Sequence, residues 1–163
     1  MRRLLLLSTL VALVTVPLAL AGGTATDGTL SVKRGKGTIQ LRLRGTVIGR
    51  VALGRVQVRD FRPSDGNDPQ LTCKPKPRKI APGVYVCQGR NLGYRVNDGR
   101  FNVNVRGSGI WISAVGRGPV VVDGAGDTGA GVNDGTMSLD NGPYLSLPDE
   151  AATFYLGTPQ PVR

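Results

Sequence analysis

Apolar and polar residues alternate along most of the chain after residue 30. In IQLRLR (39–44), three apolar residues fall on one face, and Arg42 and Arg44 fall on the other. This period of two is typical of a half-buried strand. Similar short segments recur to residue 157 between glycine-rich stretches, and Asp-Gly pairs at 98–99 and 123–124 predict turns. The pattern therefore predicts an all-β domain, either an antiparallel sandwich or a barrel.

An internal repeat is visible at an offset of about 62 residues, where 41–58 aligns with 103–120. Arg44-Gly45 then matches Arg106-Gly107, and Gly54-Arg55 matches Gly116-Arg117, with equal gaps between the two motifs. We interpret this as a duplication with half-repeats 30–91 and 92–153. The alternative is a coincidence between strands of similar composition. The Gly-Arg pairs are predicted to lie at turns, because glycine gives the backbone the freedom that a tight turn needs.

The N-terminal segment MRRLLLLSTLVALVTVPLALA (1–21) has the pattern of a cleaved signal peptide. Two arginines precede an apolar run, and Ala19-Leu20-Ala21 forms a small-x-small cleavage site. An uncleaved membrane anchor is the alternative, which Pro17 and the cleavage site disfavour. We therefore expect an exported chain in which residues 22–163 form a single β domain, without a transmembrane segment in the mature protein.

Cys73 and Cys87 are the two cysteines of the chain. In an exported protein, two cysteines predict one disulfide, here closing a loop of about 15 residues. A zinc site or a reactive thiol is the alternative, but the chain contains no histidine to complete either one.

The charge is unevenly distributed along the chain. Removing Arg2 and Arg3 with the signal peptide lowers the 21 cations to 19, against 11 acids, for a net charge of +8. Residues 33–117 hold 18 cations and four acids, whereas residues 118–163 hold one cation and six acids. The body is therefore basic and the tail acidic, which favours an anionic polymer or surface as partner.

Two groups of cations are candidates for polyanion binding. Lys74, Lys76, Arg78 and Lys79 lie inside the disulfide loop, where Pro75 and Pro77 favour an extended path that protrudes or lies at a sheet edge. We predict a clustered cationic tip there; protection of an edge strand from aggregation is the alternative. Arg42, Arg44 and Arg59 form the second group, on the exposed face of the first half-repeat.

The matching face of the second half-repeat carries Asn102, Asn104 and Arg106, followed by Trp111. A true repeat therefore predicts one cationic sheet face and a separate, mostly neutral amide face. Trp111 is expected to be a core residue; on the amide face it would instead offer a stacking platform for a neutral glycan or a protein partner.

The sequence lacks the residues that several kinds of catalytic and nucleotide-binding sites require. Without histidine there is no catalytic triad, the single glutamate (Glu150) gives no facing pair of glycosidase carboxylates, and no nucleotide-binding motif is present. We therefore expect no enzyme activity and no cofactor. The loop DGAGDTGAGVNDG (123–135) offers weak calcium candidates at Asp123, Asp127, Asn133 and Asp134, but their spacing fits a solvated loop better than a calcium site.

The Arg-Gly strand ends, the segment SAVGRGPVVVDG and the terminal YLSLPDEAATFYLG resemble small exported proteins of high-GC actinobacteria. The resemblance implies an exported bacterial β-domain and implies no particular site or activity. Together with the charge it points to a non-catalytic binding or structural module of the cell envelope that engages an anionic polymer or surface. A neutral-glycan or protein-interaction module that uses the Trp111 face is the alternative, a secreted hydrolase is a weaker one, and nucleic acid is not the expected physiological partner.

Overall fold

The computed structural model describes residues 26–63, 66, 68–126 and 135–157 and shows an all-β protein, as predicted. The described residues form seven strands: β1 (Gly28–Asp60), β2 (Gln70–Thr72), β3 (Arg78–Ala81), β4 (Val84–Ala125), β5 (Thr136–Leu139), β6 (Leu145–Ser146) and β7 (Ala152–Leu156). Within the described ranges, no helix is long and apolar enough to cross a membrane. The predicted signal peptide lies outside the described residues.

The two long strands β1 and β4 hold most of the structure together. They contain 33 and 42 residues, far more than the usual five or six. They run antiparallel, and much of β1 pairs with β4 on both sides: Gly45, for example, pairs with Gly99 on one side and with Gly116 on the other. Both strands must therefore bend repeatedly, so that different parts of β4 reach opposite edges of β1.

The pairing divides into two ladders, and each long strand passes back and forth between them. In strand order, the first ladder is β6, β5, 28–35, 110–116, 46–51, 92–96 and β2. The second ladder is β3, 84–90, 53–60, 100–108, 36–44, 117–125 and β7. The buried side chains of both ladders belong to one hydrophobic core. The large antiparallel sheet is thus established, and the choice between sandwich and barrel stays a prediction.

The bends between the ladders coincide with two rows of cross-strand glycine partners. The first row is Gly89, Gly54, Gly107, Gly37 and Gly124, and the second row is Gly99, Gly45, Gly116 and Gly28. Gly107 has a φ of 152°, and a Cβ at this position would collide with the carbonyl oxygen of Leu53 on the neighbouring strand. Glycine is needed here because it alone tolerates both this backbone conformation and such close backbone contact.

The turns predicted at the Asp-Gly pairs 98–99 and 123–124, and at Gly54-Arg55 and Gly116-Arg117, were wrong. All four pairs lie inside β1 or β4, at or beside the bends. The physical reason is that a glycine lets a strand bend while its neighbours keep their backbone pairing, so the strand continues instead of reversing. A reversal does occur at Pro82-Gly83, between β3 and β4, where Gly83 has a φ of 66°.

The bend spacing gives a geometric reason for the equal gaps of the two repeated motifs. Gly45 and Gly54 in β1 are nine residues apart, as are Gly107 and Gly116 in β4, and in both cases this is the length of strand that crosses the first ladder. Two strands that cross the same ladder need bends at the same interval. The duplication is compatible with this register and stays a prediction.

A buried hydroxyl provides a test of the core. Tyr94 is buried, its Oη has no hydrogen-bond partner among the described residues, and burial raises the pKa of the phenol above its ordinary value. Tyr94→Phe keeps the ring and removes the unpaired group, so we expect the free energy of unfolding in a denaturant titration to rise by about 1 kcal/mol.

The raised pKa of Tyr94 also predicts how the effect of Tyr94→Phe on stability depends on pH. Above about pH 10, the unfolded phenol ionises while the folded one stays protonated, so the wild-type protein loses stability relative to Tyr94→Phe as the pH rises. A less stable variant at neutral pH would contradict an unpaired hydroxyl.

Candidate functional site

Six exposed arginines share the outer side of the second ladder, and we call this surface the arginine face: Arg42, Arg44, Arg55, Arg59, Arg100 and Arg106. Strand alternation places them there, because the apolar residues next to them in sequence point into the core. Leu41 and Leu43 flank Arg42, for example, and both are buried. The exposed positions predicted for Arg42, Arg44 and Arg59 are confirmed.

The arginine face combines residues from both halves of the proposed repeat. Asn102 pairs with Arg59 on one side and with Arg42 on the other. A row of amides lies beside this one, in which Asn104 pairs with both Gln57 and Gln40. The expectation of a cationic face and a separate amide face was therefore wrong, because the register interleaves strands of the two halves in one ladder.

Three pairs of arginines stand directly opposite each other across neighbouring strands. Arg44 pairs with Arg100 on one side and with Arg117 on the other, and Arg55 pairs with Arg106. Arg55, Arg100 and Arg106 were not among the predicted site residues. The signal that marks them is their position next to a glycine of the bends: every arginine in these three pairs adjoins one.

Like charges directly opposite each other in a sheet are destabilising. Arg117 is compensated by an ion pair, with 2.9 Å between its Nε and Asp27 Oδ1. No carboxylate among the described residues lies within ion-pair distance of the six arginines of the arginine face.

The contacts that the structure shows for these arginines are to uncharged groups. Arg55 donates a 3.4 Å hydrogen bond to Gln57 Oε1, and the guanidinium groups of Arg59 and Arg100 lie 5.2 and 5.7 Å from the centre of the Phe61 ring. The arginine face therefore carries positive charge that no carboxylate of the described residues neutralises.

The predicted disulfide between Cys73 and Cys87 is present, with 5.9 Å between the two Cα atoms. Cys87 is buried on the segment 84–90 of the second ladder, and Cys73 follows β2, an edge strand of the first ladder. The intervening chain then forms β3, the edge strand of the second ladder. The disulfide thus anchors a segment that passes from one ladder edge to the other.

The four cations of the disulfide loop are exposed, and strand alternation places the neighbours Arg78 and Lys79 on opposite sides of β3. Arg78 pairs with Val86, which pairs in turn with Gln57, so the backbone register places it at the edge of the arginine face. Lys79 is the next residue of β3 and lies 5.5 Å from the centre of the Tyr85 ring. Lys74 and Lys76 precede β3. The edge position anticipated for this segment is confirmed, whereas a single clustered tip stays a hypothesis.

Trp111 was expected in the core, and this was wrong. It is 36% exposed on the outer side of the first ladder, because the buried Ile110 and Ile112 take the inward positions on either side. Its cross-strand partner Arg50 holds a guanidinium 5.9 Å from the ring centre. The side of the indole that faces Arg50 is therefore occupied, which weakens the case for a stacking platform.

Of the four calcium candidates, Asp123 is exposed on the second ladder, opposite Thr38. Asp127, Asn133 and Asp134 lie outside the described residues. In the described part of the chain, no three His, Cys, Asp or Glu side chains come together as metal ligands.

The arrangement as a whole is a cationic, amide-rich sheet face next to a disulfide-anchored edge. The guanidinium groups and side-chain amides on such a face can donate hydrogen bonds to oxyanions and hydroxyls. No family model, curated protein or solved structure matches the chain.

Proposed function

We propose that this protein is an exported, non-catalytic binding module of the bacterial cell envelope that holds an anionic polymer on its arginine face. The observation that carries the proposal is that Arg44 stands opposite Arg100, and Arg55 opposite Arg106, with no carboxylate of the described residues within ion-pair distance of these four arginines. The disulfide and the predicted signal peptide support export.

The arginine pairs lower the stability of the isolated protein, so a stabilising role for them is disfavoured. An oxyanion that binds between two such arginines removes their repulsion and accepts hydrogen bonds from both guanidinium groups. The free energy gained on binding therefore includes relief of a repulsion that is already present in the free protein. Strand pairing also fixes the backbone positions of the arginines in advance, which lowers the entropic cost of association.

The amides between the arginines indicate what else the polymer carries. Asn102, Asn104, Gln40 and Gln57 offer both donors and acceptors on the same face. Hydroxyl groups are the natural partners of such amides. The proposed ligand is therefore a hydroxyl-rich polyanion, an acidic polysaccharide or a polyol phosphate.

The test compares two variants with the same loss of four charges. In the face variant, Arg42, Arg55, Arg59 and Arg106 become glutamine, and in the loop variant, Lys74, Lys76, Arg78 and Lys79 become glutamine. Retention on isolated cell walls and on immobilised polygalacturonate is measured across a salt series. We expect the face variant to elute at much lower salt, with a salt slope reduced by up to about four units, and the loop variant to change less.

The outcomes separate the possible explanations. Equal losses in both variants would indicate non-specific attraction by net charge. Unchanged retention of the face variant, with an unchanged melting temperature, would contradict the proposal. Salt-independent retention that is lost in Trp111→Ala would instead support the neutral-glycan alternative.

A further inference from the structure

A groove of about 960 Å³ crosses one end of the second ladder, along the first row of bend glycines. Gly89, Gly54, Gly107 and Gly37 form its floor, and Gly124 lies at its far end. Five neighbouring strands spaced at about 4.8 Å give the groove a length of about 19 Å. An extended chain laid along this row of glycines would cross all five strands.

The walls of the groove carry an ordered set of charges. Arg55 and Arg106, a cross-strand pair with no described carboxylate within ion-pair distance, stand on the wall that belongs to the arginine face. Lys36 lies on the opposite wall, one strand beyond Arg106. Asp123 and Asp149 line the far end. Three cations therefore follow one another over three adjacent strands, and the groove becomes acidic past them.

We propose that this groove holds a single extended, unbranched stretch of the polyanion, with oxyanions on Arg55, Arg106 and Lys36. This inference rests on the proposed function and names the class of ligand: a linear chain with repeated carboxylate or phosphate groups. The glycine floor has no side chains, so the chain can approach the backbone closely. An unbranched chain fits this floor best, because side chains lie on both sides of the glycine row and leave only the row itself free.

The two carboxylates at the far end of the groove limit how far the anionic groups of the ligand can extend along it. Asp123 and Asp149 repel oxyanions and accept hydrogen bonds from hydroxyls, so a hydroxyl-bearing chain suits both ends of the groove better than a uniformly charged one. A flat anionic membrane could not reach the floor, whose glycines are only partly exposed.

The first test divides the four arginines of the face variant into two pairs. Arg55→Gln/Arg106→Gln removes the groove pair, and Arg42→Gln/Arg59→Gln removes the same charge from the middle of the face. We expect the groove variant to bind polygalacturonate at least about tenfold more weakly than wild type in equilibrium titrations, and the control variant to lose less. Linear polyphosphate, titrated in parallel, shows whether the phosphate source binds as well as the carboxylate source.

A second test blocks the groove without changing its charge. Ser108 lies on the wall opposite the arginine pair, and Ser113 lies on the outer side of the first ladder. Ser108→Tyr should weaken binding of the linear polymers, including at high salt, while Ser113→Tyr leaves it unchanged; circular dichroism of both variants checks the fold.

The outcomes distinguish this inference from the proposed function. Equal losses in the two arginine variants, or full binding by a folded Ser108→Tyr variant, would overturn the groove and leave the arginine face standing. Unchanged binding in both arginine variants would overturn both proposals. Stronger binding to phosphatidylglycerol vesicles than to either linear polymer would overturn the linear-chain ligand.

Discussion

Gly107→Ala should destabilise the protein by about 3 kcal/mol or more. Gly107 has a φ of 152°, a conformation that residues with a Cβ rarely adopt, and this alone costs of order 1–3 kcal/mol. The added Cβ also collides with the carbonyl oxygen of Leu53. Relief requires separation of Gly107 from its partner Gly54, where both strands pass between the ladders, so the strain cannot stay local. Chemical denaturation of the purified variant measures the effect.

Gly93→Ala is the matched control within the same strand. A Cβ at Gly93 would lie 3.6 Å from the Cβ of Thr72, an ordinary van der Waals contact, and its backbone is not in the positive-φ region. We expect a change below about 1 kcal/mol, because neither strain nor collision arises. Equal effects at the two positions would show that the bends do not depend on glycine.

Reduction of the Cys73–Cys87 disulfide should lower the free energy of unfolding by about 3 kcal/mol. The loop contains about 15 residues, for which the chain-entropy model gives this value. The bond also anchors β3, whose four residues are all exposed and which has one pairing partner, the segment 84–86. Unfolding curves with and without reductant measure the global effect, and hydrogen exchange of residues 78–81 measures the local one.

Cys73→Ala/Cys87→Ala provides the control for incomplete reduction. Its stability should match that of the reduced protein to within the small cost of the space left by the buried Cys87 side chain. Loss of exchange protection should be concentrated in β3, while the core strands at Leu41 and Val103 exchange only through global unfolding. A loss below about 1 kcal/mol, or protection lost evenly over the protein, would contradict the anchoring role.

Much of this structure could be predicted from local patterns. Alternation assigned Ile39, Leu41 and Leu43 to the core and Arg42 and Arg44 to the surface, because successive side chains of any strand point to opposite sides. The same rule assigned Arg59 correctly. The same alternation also placed Trp111 on the outer side. We nevertheless predicted that it is buried, because tryptophan is usually buried, and that prediction was wrong.

The disulfide could also be predicted from the sequence, because two cysteines in a chain with a predicted signal peptide have one intramolecular partner each. The ends of the strands could not be predicted from the sequence. A glycine beside an aspartate or arginine has the same local signature whether the chain reverses or only bends. What decides between them is whether a neighbouring strand continues the pairing, and that neighbour lies far away in the sequence.

The sequence by itself determined the strand class, the disulfide and which side of each strand faces water, since these depend on residues close together in the chain. Tertiary structure alone decided which strands are neighbours. Arg44 meets Arg100, and Arg55 meets Arg106, only because β1 and β4 pair in one register over two ladders. That register depends on long-range backbone pairing and on glycines that meet across strands, and neither leaves a signal within a short stretch of sequence. The arginine face and its groove are therefore properties of the folded chain.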